Sequence, residues 1–232
     1  MKAPSLFVAA VSIAASVLAA DPSPKDAVTA AAHKLGDQPN YTWKTTVEVP
    51  PDAQYRPGPT DGQTEKGGFT WVKTAMRDNS IEIVLKGDKA AVTNPDGGWQ
   101  SVSELDPGDM PGRFLVPMIR NFKTPAEQAA EMAGQTKELK KDGDVISGDL
   151  TEDGAKAQLL RRRGGDATVA DAKGSIKFWI KDGVLVKYEF KVSGKVNFNG
   201  NERDVERTTT VEIKDVGTTK LSVPEDAKKK LA

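Results

Sequence analysis

Few residues of this chain are of the types that carry out catalysis or bind metals. The sequence contains one histidine, His33, and no cysteine. Nucleophilic triads and the usual zinc sites depend on histidine or cysteine side chains, so hydrolase and zinc-enzyme functions lose their main support. His33 itself lies among alanines near the end of a predicted helix, where an imidazole complements the helix dipole. We therefore interpret His33 as structural.

Carboxylate pairs are the remaining route to acid–base chemistry. A glycosidase needs two acids on one concave face at a defined separation. Four acids in predicted strands fall instead on the outer faces by alternation: Glu82, Glu104, Glu189 and Glu212. Asp142-Gly143-Asp144 lacks the further ligands of an EF-hand loop and is typical of a tight hairpin turn. The sequence thus predicts a protein that is not an enzyme and that uses no metal or other cofactor.

One basic cluster, Arg161-Arg162-Arg163, follows a predicted helix and precedes two glycines. Arginine side chains there could clamp a phosphate or carboxylate. They could equally form a solvated helix end, which is the commoner arrangement. Over the whole chain 33 Lys and Arg balance 33 Asp and Glu, so charge does not indicate a nucleic-acid partner.

The last quarter of the chain predicts long antiparallel strands. Apolar residues of the segment 184–198 keep one parity, which indicates a strand with one buried face: Val184, Val186, Tyr188, Phe190, Val192, Val196 and Phe198. Asn199-Gly200 tolerates the positive φ of a hairpin turn into a further strand. A strand of this length must bend, and Ser193-Gly194 is the expected place.

Earlier segments predict more strands and a helical middle. Residues 41–49 alternate clearly, whereas residues 50–68 are rich in proline and glycine and predict a long loop, either a mobile connection or a rim or lid, with Tyr55 and Arg56 near its tip. Helices are expected after the capping residues Ser23, Thr124 and Thr151, and Pro117 should kink or split another. A loose connector should end near residue 173. The predicted fold is mainly antiparallel β with α, a curved half-barrel covered by short helices on its concave face.

Residues 1–20 combine an early lysine, an uncharged apolar run and small residues at the end, a pattern typical of a cleaved secretory signal. We expect one domain over residues 21–232 and a periplasmic or secreted location. An uncleaved anchor is the alternative, because about 17–25 apolar residues span a bilayer.

Apolar surface is what the sequence offers in place of catalytic groups. Fourteen residues are expected to line the space between sheet and helices: Trp43, Val47, Ile83, Leu85, Phe114, Leu115, Met118, Ile119, Phe178, Ile180, Tyr188, Phe190, Val211 and Ile213. These side chains either fill a core or line a cavity for an apolar ligand, an acyl chain or a lipid. A ligand-free scaffold that binds a partner protein through a sheet edge or helix face is the alternative function.

The order of parts resembles the periplasmic lipoprotein-carrier superfamily, the LolA, LppX and LprG group. The resemblance is carried by GGW at residues 97–99, by KGSIKFWIKDGVLVKYEFKVSG at residues 173–194, and by VEIKDVG and VPEDAKKKL near the end. It implies an incomplete barrel plugged by helices, a cavity that takes acyl chains, and transient contact with a membrane or a carrier receptor.

N-terminal sequencing of the exported protein tests the predicted processing. We expect the mature chain to begin at Ala20 or Asp21, because small residues precede both cleavage points. A mature chain that begins before residue 15 would contradict a cleaved signal.

Overall fold

The computed structural model describes residues 22–53, 56–76, 79–108, 112–161, 167–198 and 200–232, so the predicted signal lies outside it. Within these ranges the strands are β1 (Asn40–Glu48), β2 (Thr60–Glu65), β3 (Thr70–Met76), β4 (Asn79–Lys86), β5 (Lys89–Thr93), β6 (Trp99–Ser101), β7 (Thr136–Asp142), β8 (Val145–Leu150), β9 (Thr168–Lys181), β10 (Val184–Phe198) and β11 (Asn201–Lys214). The helices are α1 (Pro24–Gly36), α2 (Gly112–Arg120), α3 (Pro125–Gly134), α4 (Glu152–Leu160) and α5 (Glu225–Lys229), with a 3-10 helix η1 (Val102–Glu104).

The described strands form one sheet of eleven, in the order β6-β5-β4-β3-β2-β1-β11-β10-β9-β8-β7. Two antiparallel meanders, β1 to β6 and β7 to β11, are joined where β1 pairs antiparallel with β11. The sheet does not close, because β6 and β7 remain its two edges. The predicted fold, a curved half-barrel of antiparallel strands with helices on the concave face, is confirmed.

Alternation in β10 holds as predicted except at one point. Tyr188, Val192 and Val196 face the core, but Leu185 is buried where the sequence predicts Val186. An irregularity in the pairing with β9 between Leu185 and Lys187 shifts the register by one residue, and such a shift exchanges the faces. A second irregularity lies between Ser193 and Lys195. Since β-bulges bend strands, it coincides with the bend predicted at Ser193-Gly194.

The predicted loop over residues 50–68 is wrong in its second half, because residues 60–65 form β2 between β1 and β3. The strand was missed because its inward positions carry no large apolar side chain. Gly62 pairs with Trp43 and leaves room for the indole, while Thr60 and Thr64 form hydroxyl hydrogen bonds with Thr74 and Thr70 on β3. Tyr55 lies outside the described residues, and Arg56 donates to the carbonyl of Pro51 at 2.7 Å.

The connector to residue 173 is also shorter than predicted, since β9 begins at Thr168. Alternation is obscured there by Asp171, whose φ of 55° is unusual within a strand. The hairpin turn after β10 includes Gly200 with a φ of 78° as expected, while Asn199 lies outside the described residues.

The helices begin where their capping residues predict. Ser23, Thr124 and Thr151 each accept a hydrogen bond from a backbone N–H in the first turn of α1, α3 and α4. Pro117 does not split its helix, because α2 is continuous across it. It occupies the sixth position, and its ring nitrogen removes one backbone hydrogen bond without ending so short an element.

Helix α1 adds to the concave cover in a way the sequence did not indicate. Its buried face, Val28, Ala31, Ala32 and Leu35, belongs to the main core together with α3 and α4. The C-terminal helix lies on the opposite face of the sheet, where Ala227 and Leu231 pack with Val84 and Ala91. Both faces of β4 and β5 are therefore covered.

Replacing Gly62 by alanine tests the close approach of β2 to Trp43. The new Cβ would overlap with Cζ2 of Trp43, so we expect Gly62→Ala to lower the free energy of unfolding by about 1–3 kcal/mol, the usual cost of overpacking. Gly134→Ala is the matched control, because its Cβ would meet no atom within 4 Å. Urea unfolding of both variants is the measurement, and equal stabilities would contradict this account of β2.

Candidate ligand-binding site

The sequence-predicted lining residues lie mostly in one apolar cluster on the concave face. Eight of them are buried: Trp43, Ile83, Leu115, Phe178, Tyr188, Phe190, Val211 and Ile213. Leu85, Ile119 and Ile180 are half-buried and pack against the same cluster. Val47 is half-buried on β1, and Met118 is 36% exposed. The side chain of Phe114 lies outside the described part of the structure. The structure therefore brings most of the predicted residues together.

The cover over this cluster is uneven. Helices α1 and α4 lie directly against β9 and β10, and α1 also packs on α3. Phe178 and Tyr188, beneath these helices, have no exposed surface. Helix α2 has η1, just after the edge strand β6, as its backbone neighbour. The part of the concave cluster around Trp43, Ile83 and Val92 is joined instead by Leu115 of α2.

Helix α2 and the residues after it reach from one edge of the sheet to its middle. Its N-terminal side follows η1, and Phe122, two residues beyond its end, packs on Trp43 of β1 with ring centroids 6.5 Å apart. The segment therefore connects the region of β6 with that of β1, and Leu115 of α2 belongs to the same core cluster as Ile83 and Val92. Among its described apolar side chains Leu115 is 1% exposed, Ile119 is half-buried and Met118 faces solvent. Leu115 is the most deeply buried of the apolar side chains that the structure describes in α2.

Polar groups interrupt the core near α3 and the end of α4. The hydroxyl of Tyr188 donates to Oε1 of Gln128 on α3 at 2.8 Å. Burial raises the pKa of the Tyr188 phenol, and the positive charge of Arg161 partly opposes this rise. Tyr188 is thus neutral and acts as a fixed hydrogen-bond donor in the core.

Arg161 departs from the solvated helix end that is the commoner arrangement for such clusters. Its side chain is half-buried, and its Nη1 is fully buried without a hydrogen-bond partner in the described structure. Arg162 and Arg163 lie outside the described residues. Sequence reasoning could identify the cluster but not the inward direction of its first member, which depends on how α4 packs.

The structure describes His33 and Glu82, two of the side chains that were considered for catalysis from the sequence. His33 is exposed on α1. Glu82 accepts a hydrogen bond from Nε1 of Trp71 at 3.1 Å and pairs with Lys73, so it serves the outer face of the sheet. Within the described ranges no group of three or more His, Asp and Glu side chains is placed to hold a metal ion.

Two clefts open at the margins of the core. One, of about 440 Å³, lies between α1 and the turns of the two hairpins β7-β8 and β9-β10, and Ala31, Ile146 and Ile180 contribute its apolar part. The other, of about 370 Å³, lies between the segment after α2 and the end of α4. Both volumes fall in the range of small-molecule sites, about 300–1,000 Å³.

The sequence matches no protein-family model and no curated protein. Among solved structures the chain is similar to LprF from Mycobacterium bovis, at 12% identity and a TM-score of 0.48, over 88% of this chain and 97% of that chain. It is also similar to the lipoprotein LppX from Mycobacterium tuberculosis, at 10% identity and a TM-score of 0.49, over 87% and 98%. None of the described helices has the length and apolar character needed to cross a membrane.

A double-mutant cycle measures the contact between Tyr188 and Gln128. Tyr188→Phe removes the buried donor, and we expect it to lower the free energy of unfolding by about 1 kcal/mol, the usual net value of a hydrogen bond. Gln128→Ala should have little further effect in the Tyr188→Phe background, because the shared bond is already lost. Additive losses in chemical denaturation would contradict the contact.

Proposed function

We propose that this chain is a non-enzymatic protein that binds or carries an apolar ligand, an acyl chain or lipid, between the concave face of the sheet and α2. One observation carries the proposal: the apolar concave face around Trp43 and Ile83 shares its core cluster with Leu115 of α2, a nine-residue helix that contains Pro117. The ligand would contact Trp43, Ile83 and Leu85 in place of that helix. Phe178, Ile180, Tyr188, Phe190, Val211 and Ile213 would form the fixed wall.

Displacement of α2 is the step that makes room for a ligand. Pro117 has no N–H, so α2 lacks one of its backbone hydrogen bonds. Few buried contacts and a weakened helix lower the free energy of local opening relative to α1, α3 and α4. The domain then opens at α2 without losing the core beneath the other helices.

Burial of the ligand would replace the burial that α2 provides. Each Å² of apolar surface removed from water contributes about 25 cal/mol, before the cost of ordering the chain and the helix. An acyl chain competes with α2 for the same surface, so its apparent affinity depends on how often α2 is displaced. This competition distinguishes a carrier, which must release its cargo, from a permanently filled core.

A partner-binding scaffold is the competing function. It requires an exposed apolar patch as the contact surface. Of the large apolar side chains that the structure describes, Met118 alone reaches 36% exposure, and it belongs to α2. We therefore favour the ligand-binding function. Export to the periplasm is part of the same proposal and is supported by the sequence pattern of residues 1–20. Transient contact with a membrane or receptor would follow from a carrier role.

Weakening the anchor of α2 tests the proposal. Leu115→Ala truncates the most deeply buried side chain that the structure describes in α2, at a cost of about 2–5 kcal/mol for a core leucine. Because closure of α2 competes with the ligand, we expect Leu115→Ala to bind the fluorescent C18 fatty acid cis-parinaric acid about tenfold or more tightly than the unmodified protein. The measurement is a fluorescence titration below the micellar range of the probe.

Leu35→Ala is the matched control, because Leu35 is fully buried on α1 and contributes to the wall that stays closed. It should lower the free energy of unfolding without raising the affinity for cis-parinaric acid. Native mass spectrometry of the protein purified from cell extract, followed by lipid extraction, identifies any natural cargo. If the two variants bind the probe equally, or if neither binds it, α2 is not the cover of a ligand site.

A further inference from the structure

The cleft between α2 and α4 joins charged and apolar side chains at one end of the concave face. Its volume is about 370 Å³. Its apolar lining includes Phe122, Ala157 and Leu160. Phe122 also packs on Trp43, so the apolar side of the cleft is continuous with the face that α2 covers. A molecule with one polar end and one apolar chain could occupy both.

The polar lining of the cleft is mainly cationic. Arg120, Lys123 and Arg161 line it together with one carboxylate, Glu131. That carboxylate is already paired with Lys123 at 2.8 Å. Arg120 is exposed at the mouth, and Arg161 lies deeper. The cleft therefore carries an excess of positive charge, although the whole chain is electrically balanced.

Arg161 supplies the observation that indicates a ligand. Its Nη1 is buried and lacks a hydrogen-bond partner in the described structure. An unpaired buried donor is costly, and a charged one more so. Buried donors without a partner are rare in folded proteins, so we expect an acceptor for Nη1 of Arg161.

The end of α4 is held in place independently of any ligand. Arg207 on β11 donates to the backbone carbonyl of Gln158, and the side chain of Gln158 is 3% exposed. This contact fixes the last turn of α4 against the sheet and thus fixes the origin of the Arg161 side chain. The guanidinium is presented from a rigid element, which favours a specific contact over a mobile one.

We infer that this cleft binds the oxyanion head group, a carboxylate or phosphate, of a single-chain amphiphile whose alkyl chain passes Phe122 toward the face beneath α2. The inference rests on the proposed function and assigns the polar end of its ligand. Arg161 donates to the oxyanion, as guanidinium groups do in forked pairs with carboxylate and phosphate. Arg120 adds charge at the mouth.

Calorimetric titration with three probes tests the inference: dodecyl phosphate, dodecanol and inorganic phosphate, the amphiphiles below their aggregation range. The unmodified protein should bind dodecyl phosphate at least tenfold more tightly than dodecanol. Arg161→Gln should weaken the affinity for dodecyl phosphate about tenfold or more, as expected for loss of a hydrogen bond to a charged group. Its affinity for dodecanol should change less than twofold. Arg120→Gln, at an exposed position, should weaken the affinity for dodecyl phosphate a few-fold. This variant keeps the test valid if Arg161→Gln folds poorly.

Lys156→Gln is the matched control, because Lys156 is a cation on the same helix that pairs with Glu152 at 2.7 Å outside the cleft. It should leave all three affinities unchanged. If both amphiphiles bind alike and neither arginine variant matters, the head-group site is wrong while the proposed function stands. If neither amphiphile binds, the proposed function is wrong as well. If inorganic phosphate binds as tightly as dodecyl phosphate, the cleft takes a free anion and the head-group assignment is overturned.

Discussion

The alternation of β9, β10 and β11 commits one whole face of the sheet to burial, and the rest of the molecule depends on that constraint. Tyr188, Phe190 and Val192 cannot be exposed together without a large apolar surface in water. Because an open sheet cannot cover its own concave face, helices from three separate parts of the chain must do so. The bulge beside Leu185 keeps the register compatible with that cover.

Strand β1 is the seam of this arrangement, and Trp43 is its central side chain. The strand pairs with β2 on one side and with β11 on the other, so it joins the two meanders. The Trp43 indole lies over Gly62 within the sheet and packs on Phe122 after α2. One residue thus couples the sheet, the thin cover and the cleft beside it. A ligand beneath α2 would act on all three through this ring.

The concave core is covered by helices from different parts of the chain. Helices α1 and α4 pack on β9 and β10 around Tyr188, and Leu115 is the most deeply buried described side chain of α2. Nη1 of Arg161 lacks a hydrogen-bond partner in the described structure, and Arg161 lines the cleft beside Phe122. A polar donor next to an apolar face would orient an amphiphile, since only one end of such a ligand can satisfy it.

The sequence by itself determined the elements whose signals are local. The period of two in β10, the capping residues Ser23, Thr124 and Thr151, and the hairpin turns follow from side-chain direction and backbone preference within a few residues. They sufficed for the half-barrel and for the burial of most residues that were predicted on its concave face. Only the tertiary structure decided the rest. From the sequence alone Gly62 suggests a loop, and only the packing of Trp43 over it shows why a strand has glycine there. The sequence does not indicate that α5 packs on the outer face against Val84 and Ala91. Nor does it distinguish Arg161 from the arginines beside it, because its position depends on the contact of α4 with Arg207. These features depend on contacts between residues far apart in the chain, and a local sequence pattern contains no information on such contacts.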